Sequence, residues 1–148
     1  MASHKLKVSP TSWPVQKKIR RFHPNKQKII QMEIDKLLIA KFVREFKYPN
    51  WLVKMVVVPK KKRRWWVYVD YTNLNDACPN DNFLLPRIDQ IVDATTRHGM
   101  LSFLNVFSKY HKIPMFQLDE EKTVFVTTQG LYCYRVMLFG LKNVSTTY

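Results

Sequence analysis

Two stretches of this 148-residue chain carry residue types with distinctive chemistry. The first is Lys60-Lys61-Lys62-Arg63-Arg64, five consecutive cations between two aromatic-rich apolar runs, Trp51 to Val58 and Trp65 to Tyr71. Cations crowded at such a turn form either a solvated loop or a surface that meets phosphates. The second is Leu101 to Ile113, an apolar strand that breaks at Ser108-Lys109-Tyr110 and carries a polar residue, Asn105, near its end. The Asn105 amide offers a carbonyl oxygen but no charge, and Tyr110 follows five residues later. Cys78 and Cys133 have no CxxC spacing, and His4, His23, His98 and His111 are scattered. Nothing therefore resembles a zinc site, no metal ligands are assigned, and reduced structural thiols are expected.

The elements that position these residues begin with a chain long enough for one domain and a modest core. Hydrophobic residues make up 46% and aromatic residues 14% of it, which argues for a globular chain. The formal net charge of +14 points to a polyanionic partner, most simply nucleic acid; a solvated or membrane-facing basic surface is the alternative. No apolar run approaches the ~20 residues of a membrane span. Residues 1 to 28 hold eight Lys or Arg and no Asp or Glu, and read as a basic, extended, mobile lead-in or as an organelle transit peptide.

Helical spacing of Ile30, Ile34, Leu37 and Leu38 predicts an amphipathic helix over about 28 to 40. Short strands are expected at 42 to 46 and at 51 to 58, the latter closed by Pro59. With the strand at 65 to 71 this forms a hairpin with a basic tip, and Trp51, Trp65 and Trp66 are candidate stacking residues. Residues 73 to 82 read as a loop. Pro86 opens a helix whose buried stripe is Ile88, Ile91 and Val92. A strand over 101 to 107, a polar connection over 119 to 122, and a hairpin of 124 to 126 with 132 to 136 complete an α+β pattern.

Four co-linear segments then resemble the reverse transcriptase domain of gypsy-type LTR retrotransposon Pol polyproteins. Val69-Asp70-Tyr71-Thr72-Asn73-Leu74-Asn75 resembles that family's V-D-Y-x-x-L-N, and Leu85-Pro86-Arg87-Ile88-Asp89 its L-P-R-I-D. Phe103 to Ile113 is similar to F-x-D-x-x-S-G-Y-x-x-I, and Tyr132 to Asn143 to Y-x-Y-x-V-M-P-F-G-L-K-N. The resemblance runs from about residue 4 to 148 and includes the basic lead-in, which it reads as a connector rather than a transit peptide. It implies a truncated right-hand polymerase: fingers over about 29 to 88, palm over about 89 to 118, and fingers returning to palm over about 119 to 148.

The activity so implied is RNA-directed DNA polymerisation, with RNA or DNA template-primer and dNTP as partners and no membrane. Mg2+ is the implied cofactor, held by one Asp on the first palm strand and two in a Tyr-x-Asp-Asp turn. Asn105 stands at the first of these positions and the turn is expected beyond Tyr148, so this fragment is expected to bind Mg2+ poorly and to be inactive. The nucleotide-binding positions carried over are Lys60, Lys61, Arg64, Trp66, Tyr110, Phe139 and Gly140. Trp66 replaces an arginine that grips triphosphate, and Tyr110 takes the place of the aromatic residue that excludes a 2′-hydroxyl. Lys41, Arg63 and Lys109 replace family glycines, and Leu84 and Leu138 replace prolines. Most of these replacements are reachable by one C-to-T or G-to-A transition each, the pattern expected of a decaying element. The alternative is a basic nucleic-acid-binding remnant without catalysis, or a relic with no function. The resemblance allows the nucleus, the cytoplasm or a plant organelle such as the mitochondrion.

Overall fold

The computed structural model describes residues 3–19, 21–80, 84, 86–102 and 107–142; Asn105 and most of the strand expected over 101 to 107 lie outside them. Helix α1, Pro24–Ile39, starts earlier than its apolar periodicity suggests. Pro24 sits in its first turn, where a missing N–H costs nothing, and the His23 ring accepts the Asn25 N–H at 3.4 Å. Its buried stripe is Ile30 and Ile34, with Leu37 partly buried. Lys41 (φ 59°) ends it in the left-handed conformation, and Phe42 N–H bonds back to Leu37 O at 3.0 Å.

Strands β1 (Val43–Glu45), β4 (Phe125–Thr127) and β5 (Gly130–Tyr134) form an antiparallel sheet in the order β1-β5-β4. Strands β2 (Met55–Lys60) and β3 (Arg64–Val69) form a separate antiparallel pair, linked to the first sheet by a bridge between Val53 and Phe125. The core lies between α1 and these sheets, with Ile34, Val53, Phe125, Leu74 and Met137 almost wholly enclosed. Each such side chain contributes about 1.5–3 kcal/mol of apolar transfer energy. The fold is α+β.

Several expectations are corrected. Pro59 does not close β2, which runs on to Lys60. The Asp70 N–H donates to Lys54 O at 3.0 Å, which makes the even-numbered positions of this register the hydrogen-bonded ones. Pro59, opposite Trp65, falls at a non-bonded position and removes no ladder bond. Trp51, expected to stack on a ligand, is buried in the core and cannot do so. The stretch expected to be a loop begins with a short helix, α2 (Thr72–Asp76), whose Leu74 is buried. Helix α3 (Ile88–Thr95) forms as its periodicity predicts, but Ile88, Ile91 and Val92 are exposed rather than buried.

The lead-in is extended but held against the body, so it is not a free arm. His4 and Leu6 are fully enclosed; His4 N–H donates to Pro114 O at 2.9 Å and His4 O accepts Phe116 N–H at 2.8 Å. Further along, Val15 O accepts Leu52 N–H at 3.0 Å and Lys17 N–H donates to Leu52 O at 2.8 Å. The polar connection over 119 to 122 is also structural. It forms helix α4 (Gln117–Glu120) and a following 3-10 turn, with Asp119 and Glu120 buried. A buried carboxylate is tolerable only when paired. Asp119 accepts the Leu6 N–H at 3.0 Å and pairs with Lys122, while Glu120 accepts Arg44 Nε at 2.7 Å.

A candidate nucleotide and nucleic-acid cleft

The β2–β3 hairpin is one wall of the candidate site. Val58 pairs with Trp66, Val56 with Tyr68 and Lys60 with Arg64, so these six side chains share one face. The opposite face turns Met55 and Val57 into the core, with Val67 and Val69 partly buried. Lys61, Lys62 and Arg63 make the turn, and Lys62 (φ 65°) and Arg63 (φ 55°) are both left-handed. A side chain in that conformation costs roughly 1 kcal/mol relative to glycine. The absence of glycine at Arg63 is therefore felt at a position that demands it, as it is at Lys41. Lys109, the third replaced glycine, lies in a 3-10 helix, Phe107–Lys112.

A cleft of about 810 Å³ opens between this hairpin, α1 and the segment from 138 to 140. Trp66, Tyr68, Phe139 and Gly140 line it, with His111 and Glu33 from other walls. Trp66 is 58% and Phe139 63% exposed, so both present large ring surfaces to solvent. Tyr110 does not line the cleft itself but stacks on Phe139, ring centroids 6.1 Å apart and planes at 26°. Gly140 has φ 100°, a conformation only glycine takes without strain. Asn75 fixes that bend: its Nδ2 donates to Gly140 O at 2.8 Å and its Oδ1 accepts Lys142 N–H at 2.8 Å.

The electrostatics divide the site. Lys60 Nζ lies 4.6 Å from the Trp66 ring centroid and Lys26 Nζ 5.8 Å from that of Trp65, so cations cap both indoles. Deeper in the cleft, burial disfavours the charged forms of three lining groups. Burial pushes the Tyr71 and Tyr134 phenols well up and the His111 imidazole down. At the hairpin base, the Thr72 hydroxyl holds Asp70 below the usual carboxylate range, donating to its Oδ1 at 2.6 Å. Both cysteines are buried free thiols, and burial pushes Cys133 up to about 11. A thiol so placed is inert at neutral pH.

Of the residues chosen from sequence, Trp66, Phe139 and Gly140 meet around one cleft and Tyr110 backs it. Lys60 joins them through the Trp66 ring, whereas Lys61 and Arg64 stand on the exposed tip and do not line the cleft. Asn105 lies outside the described residues. Sequence reasoning misses Tyr68, which alternation with Trp66 on β3 would reveal, and gives no role to Asn75, which appears there only as the end of the Val69–Asn75 segment. Among the described residues no three His, Cys, Asp or Glu side chains converge as metal ligands.

The structure superposes on the native prototype foamy virus protease–reverse transcriptase with a TM-score of 0.76 at 21% identity, covering 97% of this chain and 19% of that one. Against the foamy viral protease–reverse transcriptase solved with double-stranded DNA the TM-score is 0.75 at 17% identity, covering 99% and 25%. The fold is that of part of a reverse transcriptase. No family model matches the chain. The Pol polyprotein of transposon 412 from Drosophila melanogaster is 33% identical over 135 residues, 87% of this chain and 11% of the polyprotein. The transposon Tf2-3 polyprotein of Schizosaccharomyces pombe is 30% identical over 120 residues, 81% and 9%. The chain is a homologue of retrotransposon Pol polyproteins and spans about a tenth of the length of these relatives.

Proposed function

We propose that this chain is the template- and nucleotide-holding part of an RNA-directed DNA polymerase, from a Pol polyprotein of the gypsy type. The observation that supports the reading is the convergence of Trp66 with Phe139 and Gly140, far along the chain, on one cleft beside a run of five bases. These are positions where the resemblance puts the nucleotide pocket. A related fold, the foamy viral protease–reverse transcriptase, has been solved with double-stranded DNA and with an RNA/DNA hybrid, and template-primer is the partner we assign here. In this reading a basic lead-in over 1 to 28 precedes fingers over about 29 to 88, palm over about 89 to 118, and fingers returning to palm over about 119 to 148.

In the reaction assigned to the whole enzyme, a primer 3′-hydroxyl attacks the α-phosphorus of a dNTP, and pyrophosphate leaves. The described residues contribute binding to it: the tip cations meet phosphate, Phe139 and Gly140 line the nucleotide pocket, and Tyr110, stacked on Phe139, is the aromatic residue assigned to the sugar. Asn105 supplies a neutral oxygen where an anionic one is needed, and we assign the chain a weakened hold on magnesium and no efficient turnover. The test is fluorescence anisotropy of a labelled RNA–DNA template-primer titrated with the 148-residue chain at rising salt. Binding at low salt that weakens steeply as salt rises is expected. No binding at low salt, or affinity indifferent to salt, contradicts the assignment.

A further inference from the structure

The face shared by Lys60, Arg64, Trp66 and Tyr68 has a chemistry of its own. Trp66 and Tyr68 are two residues apart on β3, so both rings stand on the same face, about 6.8 Å apart along the strand. That rise along the strand equals two stacking layers, the spacing that a planar base held between two rings requires. Neither ring is used in the core: Trp66 is 58% and Tyr68 47% exposed. Their cross-strand neighbours are Val58 and Val56, side chains smaller than the rings they face. Cations flank the pair: Lys60 caps the Trp66 indole at 4.6 Å, Arg64 lies opposite Lys60, and Lys54 stands at the far end across from Asp70.

An indole is a poor receptor for triphosphate, with one donor and no charge. An aromatic ladder edged by lysines suits an unpaired base joined to a phosphodiester backbone. We propose that the Trp66–Tyr68 face is a stacking platform for single-stranded nucleic acid, so that the cleft selects bases by their faces more than nucleotides by their triphosphates. This rests on the nucleic-acid reading above and names the ligand within it. Phe139, exposed across the cleft, completes an aromatic surround.

The experiment compares a single-stranded oligodeoxynucleotide with an abasic oligomer of equal length and charge, by anisotropy, at one moderate salt concentration. Both exposed rings can be changed without opening the core, so Trp66→Ala and Tyr68→Ala are made singly and together, with Trp66→Phe and Tyr68→Phe as ring-retaining variants. The wild-type chain is expected to prefer the base-bearing strand by tenfold or more, each alanine to lower that preference roughly tenfold, and each ring-retaining variant to keep most of it. The abasic oligomer is expected to bind all variants alike. Equal binding of base-bearing and abasic strands by the wild type overturns the platform while leaving charge-driven nucleic-acid binding intact. Failure to bind either strand at low salt overturns both. A base preference that survives the double alanine variant also overturns the platform, because the bases are then read elsewhere.

Discussion

Asn75 holds Gly140 from across 65 residues of sequence, its Nδ2 donating to the glycine carbonyl at 2.8 Å while its Oδ1 takes the Lys142 N–H at 2.8 Å. One half-buried amide thereby fixes the bend that presents Phe139 to the cleft. The sequence shows Asn75 only as the last residue of a motif, whereas the structure shows it as the clamp between that motif and the segment from 139 to 142. Replacement by alanine removes both bonds and leaves two backbone groups to water, at a cost of about 1–3 kcal/mol. Asn75→Asp keeps the acceptor for Lys142 but faces the Gly140 carbonyl with an anion. Urea unfolding is expected to rank stability as wild type above both variants, and a midpoint unchanged in Asn75→Ala refutes the clamp.

The left-handed residues make the opposite prediction. Lys41 (φ 59°) and Arg63 (φ 55°) occupy conformations that favour glycine. Lys41→Gly and Arg63→Gly are each expected to stabilise the chain by about 1 kcal/mol, seen as a rise of a few degrees in thermal midpoint. Arg63→Gly should also weaken nucleic-acid binding by removing one tip cation; Lys41→Gly, at the end of α1, should not.

Charge at the tip sets the salt dependence. Lys61 and Arg64 are exposed and make no ion pair among the described residues. Lys61→Ser and Arg64→Ser are expected to lower the slope of log affinity against log salt by up to about 0.7–0.9 for each phosphate that is no longer neutralised. Folding stability should move by less than about 0.5 kcal/mol in either variant. An unchanged slope in the double variant places the phosphate-binding cations off the hairpin.

Acid destabilisation follows from two imidazoles. Burial lowers His4, opposed by Asp119, and burial lowers His111, whose ring packs 4.7 Å from that of Phe42. Below about pH 6.5 the unfolded chain therefore binds more protons at these residues than the folded chain does, and stability falls as pH falls until the folded values are passed. Asp70, held low by Thr72, adds its loss only further down, below the ordinary carboxylate range. Urea midpoints should drop between about pH 7.5 and about pH 5.5. His111→Phe, which keeps the ring packing, should shrink that drop, and a midpoint that rises on acidification contradicts the role of the imidazoles.

What is legible in sequence is local. Alternation places both hairpins, and the run of bases places the turn between β2 and β3. Glycine reasoning locates strain at Lys41 and Arg63, though Lys62 carries the same left-handed conformation without any sequence signal. The misses share a cause: periodicity reports which residues form a stripe, not what covers it. Ile88, Ile91 and Val92 have helical spacing yet lie exposed, while Asp119 and Glu120, polar in any sequence window, are buried because Leu6, Lys122 and Arg44 come to them. The lead-in is illegible for the same reason, since its bonds run to Leu52, Pro114 and Phe116, far along the chain.

The measurement that bears most directly on the nucleic-acid cleft is photocrosslinking of a template-primer carrying 5-iodouridine in its single-stranded overhang, followed by peptide mapping. Crosslinks to Trp66 or Tyr68, with Phe139 as the further site, are the predicted result, and they should fade as salt rises. Crosslinks confined to the lead-in or to the exposed stripe of α3, with the hairpin and the segment from 138 to 140 unlabelled, contradict the assignment of the cleft.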